Sequence, residues 1–288
     1  MGMRDLTYLA AGPGRGKTVF MSQVIQDVLI SNNNVCGFIV SFEMSKRTIL
    51  DRLISRALRR DYSDVVTKWD EDCQARAEEQ LDIFKMRLAI IDDSDVGKEF
   101  SAARLITEIV ALKEFTGAEH CIVGIDYFQR IPYDASKFKN ELAADDFRAD
   151  ELLAVRKALG TDPLIIISEV SKSDGFGGAK SEKLKGSGRI AFSADTIGFL
   201  NCLTAAQLAT NVEMVDRALP RPSFKFVSPE LKPTRDQLEQ AEDIERSLKE
   251  QRKEYQFLTL TKTRDGGTRG SIPLTFYIDQ SRYVEGLA

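Results

Sequence analysis

The stretch Ala11-Gly12-Pro13-Gly14-Arg15-Gly16-Lys17-Thr18 decides the fold, because closely spaced glycines lead into a Lys-Thr pair. It follows an apolar run, Leu6 to Ala11, that predicts a strand, and it opens a helical pattern that extends to Ser31. A glycine-rich loop between a strand and a helix is the setting of a Walker A phosphate loop. Its backbone N–H groups would point at phosphate oxygens, aided by the partial positive charge of the helix N-terminus. Lys17 would reach the β- and γ-phosphates, and the Thr18 hydroxyl would ligate Mg²⁺.

Short β-branched runs alternate with longer helical patterns along the chain. This alternation predicts an α/β fold with a mainly parallel sheet flanked by helices. The predicted strands after the first are 37–42, 87–92, 121–126, 164–168 and 196–200. The predicted helices are 17–31, 45–60, 71–84, 102–116 and 141–159, with apolar residues recurring at intervals of three and four. Two more strands, 256–262 and 271–277, flank the turn Asp265-Gly266-Gly267 and predict a C-terminal antiparallel hairpin.

Two segments interrupt the alternation. Residues 171–189 are rich in Gly, Ser and Lys and predict a long loop. Residues 202–254 contain four of the eight prolines and then a charged helix, which Thr234 and Gln237 could open as a capping box. Its apolar stripe, Leu238, Ala241, Ile244 and Leu248, is narrow. We therefore interpret 202–254 as a surface element inserted in or appended to a single domain that spans residues 1–288.

The composition excludes several classes of protein. The 288 residues are 43% hydrophobic and 29% charged, which is typical of a soluble globular protein. No apolar run approaches the roughly 18 residues that a membrane span needs, and the N-terminus has no room for a signal peptide before the first strand. The four cysteines are far apart and there is one histidine, which argues against a zinc site or a Ser-His-Asp triad. We expect a cytoplasmic protein, and the net charge of −4 means that any nucleic-acid binding must come from a local basic patch.

Two acidic residues are candidates to act beside the phosphate loop. The strand Cys121 to Asp126 ends in a carboxylate at the edge of the sheet where ligands bind in such folds, so Asp126 is the candidate Walker B acid. Glu43 lies at the tip of the second predicted strand and is the candidate base that activates water. The alternatives are that Asp126 caps a helix and that Glu43 is a first-turn acid at a helix N-terminus.

Together these residues resemble the C-terminal motor domain of the DnaB family of hexameric replicative helicases, a branch of the RecA-like P-loop ATPases. The resemblance rests on five motifs in the family's order, spanning about residues 5 to 278. They are the Ala11 to Thr18 loop, Ser41-Phe42-Glu43-Met44-Ser45, Ile125-Asp126-Tyr127-Phe128-Gln129, Leu184-Lys185-Gly186-Ser187-Gly188 with Ala194-Asp195, and Lys262-Thr263-Arg264-Asp265-Gly266-Gly267. Ile91-Asp92-Asp93 also stands where the family has such a strand.

The resemblance implies roles for residues that the sequence alone leaves open. It implies that Glu43 activates water, and that Lys262 and Arg264 reach the γ-phosphate bound by the adjacent subunit. Taken alone, that pair would be interpreted as solvated cations at a hairpin end. It also assigns DNA contact to Lys185, Gly186, Ser187 and Gly188, in a loop whose positive charges exceed its negative charges by three. A charged loop without the resemblance would more simply be solvated.

The resemblance implies an ATP-dependent DNA helicase motor. Its cofactors would be ATP and Mg²⁺, and its partners single-stranded DNA, further copies in a hexameric ring, and a primase or helicase loader. Two departures weigh against full function: Glu169 stands where the family carries a γ-phosphate-sensing glutamine, and the first strand starts within ten residues of the N-terminus. The alternatives are a RecA-like DNA-binding ATPase without unwinding activity and a non-catalytic module in which nucleotide drives assembly.

Overall fold

The structure is a computed structural model that describes residues 5–82, 85–97, 100–170, 192–203, 234–263 and 270–286. The strands are β1 Leu6–Ala11, β2 Val35–Ser41, β3 Leu88–Asp92, β4 His120–Asp126, β5 Leu164–Glu169, β6 Thr196–Cys202, β7 Lys253–Thr263, β8 Gly270–Tyr277 and β9 Arg282–Glu285. The α-helices are α1 Lys17–Ser31, α2 Lys46–Leu58, α3 Tyr62–Thr67, α4 Glu71–Asp82, α5 Asp93–Val96, α6 Ala102–Thr116, α7 Glu141–Leu159 and α8 Arg235–Glu250.

Within these ranges the strands form one sheet in the order β3-β2-β4-β5-β1-β6-β7-β8-β9. The six strands from β3 to β6 in this order are parallel, and β7, β8 and β9 extend the sheet in antiparallel fashion. The predicted fold class is therefore confirmed. Because the carboxyl ends of parallel strands share one edge, the residues after β1, β2, β4 and β5 are brought together there.

The parallel strands are buried on both faces, which explains their continuous apolar runs. One face packs against α6 and α7 through residues such as Ile109 and Leu152. The opposite face packs against α1 and α2, with Met21, Ile25 and Leu53 in its core. Cys36 and Cys121, the second residues of β2 and β4, are fully buried as small apolar residues of these strands. No helix within the described ranges is long and apolar enough to cross a membrane.

Helix α8 lies against the rest of the molecule. Ala241 and Leu248 are buried with Leu203, Tyr255 and Phe257, whereas Leu238 at the start of the predicted stripe is 37% exposed. The helix begins at Arg235, directly after Thr234 as predicted, but the side chain of Gln237 lies outside the described residues. The narrow apolar stripe thus packs α8 against strands of the same domain.

Candidate nucleotide-binding site

The loop between β1 and α1 has the conformation that an anion site requires. Gly14 and Gly16 have φ angles of 70° and 74°, in the left-handed region that favours glycine. Gly16 is the N-cap of α1, and among the described residues no side chain caps the helix and no acidic residue occupies its first turn. The positive end of the helix dipole therefore faces the loop with its first N–H groups available to an anion.

Lys17 is buried at the base of this loop, with 9% of its surface exposed. Its Nζ donates hydrogen bonds to the carbonyl oxygens of Ala11 at 3.0 Å and Gly12 at 2.9 Å. Burial lowers the pKa of Lys17, and the carboxylates of Asp126, Glu169 and Glu43 oppose that shift. The carboxylates of Asp126, Glu169 and Glu43 thus share one electrostatic environment with the Lys17 ammonium group.

Thr18 and Asp126 form the candidate metal site. The hydroxyl of Thr18 donates a hydrogen bond of 2.5 Å to Oδ2 of Asp126. Asp126 is fully buried, and its Oδ1 has no hydrogen-bond partner among the described residues. Burial raises the pKa of Asp126 to about 6. A hydroxyl and a buried carboxylate with one uncommitted oxygen are hard donors of the kind Mg²⁺ prefers, so these residues fit the ion.

Glu43 follows β2 by two residues and is exposed. Its carboxylate makes no hydrogen bond to any described residue, while it interacts electrostatically with Lys17, Asp126 and Arg130. Ser41 is in register with Asp126 on the neighbouring strand β4, so the turn that carries Glu43 leaves the sheet beside the candidate metal site. A carboxylate in this position can accept a proton from water.

Glu169 is at the same edge, since it ends β5 in register with Ala11. Its backbone N–H donates to Oε1 of Gln129 at 3.2 Å, and Nε2 of Gln129 donates to Oγ of Ser168 at 3.0 Å. A glutamine therefore does lie beside the end of β5, although it comes from the segment after β4. Gln129 belongs to the motif that follows Asp126, but the motif alone predicts no separate role for it.

Lys262 lies toward the amino ends of the parallel strands, away from the edge that carries the phosphate loop. It is in register with Ile197 on β6, which is itself in register with Tyr8 of β1. Its Nζ donates to the carbonyl oxygen of Phe192 at 3.2 Å. Arg264 and the candidate DNA-binding residues Lys185, Gly186, Ser187 and Gly188 lie outside the described residues.

Tyr283 was not predicted as a site residue, yet its side chain contacts the phosphate loop. Its hydroxyl lies 3.1 Å from the carbonyl oxygen of Arg15 and 3.2 Å from Oε1 of Gln256, and it can donate to one of them at a time. Its ring stacks on Phe276 with centroids 4.4 Å apart. A Cβ on Gly16 would lie 2.3 Å from the Tyr283 hydroxyl. Tyr283 belongs to no sequence motif, and the strand that carries it, β9, was not predicted.

Comparison with known proteins agrees with this geometry. The family described as the DnaB-like helicase C-terminal domain matches residues 1–285. The chain belongs to this family. Comparison with curated protein sequences gives no match.

Solved structures share the fold at low sequence identity. One of them, described as an ATPase domain, is similar with a TM-score of 0.69 and 18% identity, over 99% of this chain and 85% of that one. A DnaB-like replicative helicase, described with its interactions with primase, has a TM-score of 0.66 and 17% identity, over 98% of this chain and 57% of that one. A KaiC-like protein from the hyperthermophilic archaeon Pyrococcus horikoshii OT3 has a TM-score of 0.52 and 15% identity, over 98% of this chain and 89% of that one. The helicase-family domain therefore has the RecA-like α/β fold.

Proposed function

We propose that this domain is an ATP-dependent DNA helicase motor, which hydrolyses ATP at the interfaces between subunits of a ring and moves along single-stranded DNA during replication. One observation carries the proposal. A single edge of the sheet brings together a phosphate loop whose helix has no side-chain cap among the described residues, the Thr18–Asp126 pair and the exposed carboxylate of Glu43. Membership of the helicase family supports DNA as the substrate class.

Binding of the triphosphate is the first step that the residues support. The backbone N–H groups of Gly12 and of residues Gly14 to Thr18 would bind phosphate oxygens, and Lys17 would exchange its two carbonyl acceptors for the β- and γ-phosphates. Thr18 and Asp126 would hold Mg²⁺, which neutralises phosphate charge when bound. An anion beside Lys17 would also compensate the burial of its ammonium group.

Glu43 would act as the general base. Its carboxylate would accept a proton from the water that attacks the γ-phosphorus, while the bond from that phosphorus to the bridging oxygen breaks. No hydrogen bond between the Glu43 side chain and a described residue has to break before the carboxylate accepts this proton. Glu169 would remain beside Lys17, where a carboxylate repels phosphate oxygens and makes the site less favourable for a highly charged phosphate chain.

A neighbouring subunit would complete the site through Lys262 and Arg264. Lys262 is distant from the phosphate loop of its own chain. Through β6 it is in register with the first half of β1, whereas the loop begins at the carboxyl end of β1. A trans role is compatible with that separation. Cations that stabilise the transferring phosphoryl group in this way raise the rate by about a thousandfold or more.

Single-stranded DNA would bind in the ring's centre through Lys185, Gly186, Ser187 and Gly188, which can grip phosphates without reading bases. A hexameric ring and contact with a primase or loader are part of the same proposal. The primase partner is suggested by the similar DnaB-like helicase, which is described with its interactions with primase.

Two measurements test the proposal against its alternatives. Phosphate release should be Mg²⁺-dependent and stimulated by single-stranded DNA, and a forked duplex should be unwound only with hydrolysable ATP. Turnover without strand separation would favour a RecA-like ATPase that does not unwind, an alternative that Glu169 favours. Nucleotide-dependent assembly with almost no phosphate release would favour the non-catalytic module.

A further inference from the structure

Three hydrogen bonds donated by backbone N–H groups hold the turn that carries Glu43 in place. The N–H of Phe42 donates to the carbonyl oxygen of Asp126 at 2.6 Å, and the N–H of Met44 donates to the buried Oγ of Ser41 at 3.0 Å. The third bond comes from outside: the N–H of Lys46 donates to Oδ2 of Asp92 at 2.9 Å. Among these acceptors, Asp92 is the side chain contributed by another strand.

Asp92 is itself fixed in one orientation. It is 5% exposed, and its Oδ1 accepts hydrogen bonds from the N–H of Ser94 at 3.2 Å and from the Ser94 hydroxyl at 2.5 Å. These bonds and the N–H of Lys46 lower the pKa of Asp92, so the acceptor is ionised at neutral pH. Asp95 adds a second link, since its carboxylate accepts from the N–H of Asp92 at 3.1 Å and from Nζ of Lys46 at 3.0 Å.

The register of the sheet explains why this link matters at the candidate site. Ser41 at the end of β2 is paired with Asp126 on one side and with Asp92 on the other. The turn containing Glu43 therefore leaves the middle of three aligned strand ends. One neighbour contributes the candidate metal ligand, and the other holds the far end of the turn where α2 begins.

The carboxylate of Glu43 makes no hydrogen bond to a described residue, so its position depends on the backbone of this turn. We propose that Asp92 is a positioning residue for Glu43: its hydrogen bond to the N–H of Lys46 fixes the turn so that the base meets the attacking water. Asp92 would act through Glu43 and not on the reacting atoms themselves. This inference rests on the proposed function, in which Glu43 is the base. A displacement of about 1 Å in a catalytic group can cost on the order of 100-fold in rate.

The chain offers a matched pair of variants for this one hydrogen bond. Lys46 is the first residue of α2, where proline is well tolerated, and Ser45 before it has φ −63° and ψ 151°, as a residue before proline prefers. Lys46→Pro removes the N–H that Asp92 accepts, whereas Lys46→Ala keeps it. Both variants lose the link to Asp95. We expect kcat of Lys46→Pro to fall about 10- to 100-fold below that of Lys46→Ala, with ATP affinity within about twofold.

A second set changes the acceptor. Asp92→Ala should lower kcat by a similar factor, and Asp92→Asn should recover part of it, because its single side-chain oxygen can accept the N–H of Lys46 although its NH2 group cannot accept from Ser94. The control is Asp134→Ala, since Asp134 accepts from the N–H and hydroxyl of Ser136 in the same local arrangement but away from Glu43. It should leave basal ATPase within about twofold of wild type. Thermal unfolding checks that each variant is folded.

Single-turnover hydrolysis in a Glu43→Gln background separates the possible failures. The loss caused by Lys46→Pro should shrink there, because the group being positioned is already gone. An undiminished loss, or equal kcat for folded Lys46→Pro and Lys46→Ala, would overturn the role of Asp92 and leave Glu43 as the base. Wild-type kcat for Glu43→Gln alone would instead overturn the proposed function.

Discussion

Thr18 and Asp126 are joined by a hydrogen bond of 2.5 Å between Oγ1 and Oδ2, although 108 residues separate them in the chain. The bond links the first turn of α1 to the end of β4, the two elements that would share a metal ion. It also leaves Oδ1 of Asp126 buried without a partner among the described residues. Because Thr18, Lys17 and Arg130 offset the burial of this carboxylate only in part, its charge is expected to cost stability in the protein without ligand and to favour a cation in the complex.

Replacing Asp126 by Asn should therefore stabilise the metal-free protein and abolish hydrolysis. Burial raises the pKa of Asp126 to about 6, from a value near 4 in the unfolded chain. The cost of ionising Asp126 in the folded state is absent below pH 4 and complete above pH 6. The free energy of unfolding of Asp126→Asn should therefore exceed that of wild type by an amount that grows across this interval to about 2 to 3 kcal/mol. Denaturant unfolding in EDTA measures it. An advantage that shrinks with rising pH would contradict the assignment.

Gly16 should tolerate alanine far less than another glycine with the same backbone conformation. Gly16 and Gly117 have φ angles of 74° and 68°, so alanine at either position costs about 1 to 2 kcal/mol of strain. At Gly117 the new Cβ meets nothing within 4 Å, but at Gly16 it overlaps the Tyr283 hydroxyl. Gly16→Ala should lose more stability and, unlike Gly117→Ala, most nucleotide affinity. Equal effects in calorimetry and nucleotide titration would show that Tyr283 does not support the loop.

Tyr283→Phe removes the hydroxyl that can donate to the carbonyl oxygen of Arg15 while keeping the ring stacked on Phe276. Loss of this donor to a part-buried carbonyl should cost up to about 1 to 3 kcal/mol, and the loop should become less ordered before it binds phosphate. We expect ATP affinity to fall about three- to tenfold, read by titration with a fluorescent nucleotide. Tyr277→Phe is the control, because the Tyr277 ring packs on Arg282 and its hydroxyl has no protein partner among the described residues. Equal affinities for the two variants would rule out this role.

The sequence predicted the parallel part of this fold nearly to the residue, and the reason is periodicity. Strand β1 and helices α1, α6 and α7 have the predicted bounds, because buried apolar runs and three-and-four spacing leave little choice there. Strand β9 and the short helices α3 and α5 were missed. They are four to six residues long, and tertiary contacts define them, such as the bond from the N–H of Tyr62 to the carbonyl oxygen of Asp279.

Site residues could be predicted where a sequence motif specifies their chemistry. They could not be predicted where only packing in the folded protein places them. Lys17, Thr18, Glu43, Asp126 and Glu169 do converge at one edge of the sheet, because each follows or ends a parallel strand. Tyr283 and Asp92 could not be given roles from sequence, since each acts through a backbone atom of a residue far along the chain. Only the folded register reveals such pairs.

Lys185→Ala tests the proposed DNA contact, which the sequence motif alone supports. Removing one cation that contacts a phosphate should weaken single-strand binding at low salt and reduce the slope of log affinity against log salt by about one. Fluorescence anisotropy across a salt series measures both quantities. Lys157→Ala, which removes an exposed lysine from α7, should leave the slope unchanged. A wild-type slope for Lys185→Ala would exclude Lys185 from the DNA contact.

Complementation between two inactive variants tests most directly whether neighbouring subunits share each nucleotide site. Glu43→Gln lacks the base but keeps the trans cations, and Arg264→Ala lacks a trans cation but keeps the base. In a randomly mixed ring at equal ratio, about a quarter of the interfaces combine an intact base with an intact neighbour. If the site is shared, the steady-state ATPase of the mixture should recover toward that fraction of wild type. A mixture no more active than its two components, under conditions where rings exchange subunits, would contradict it.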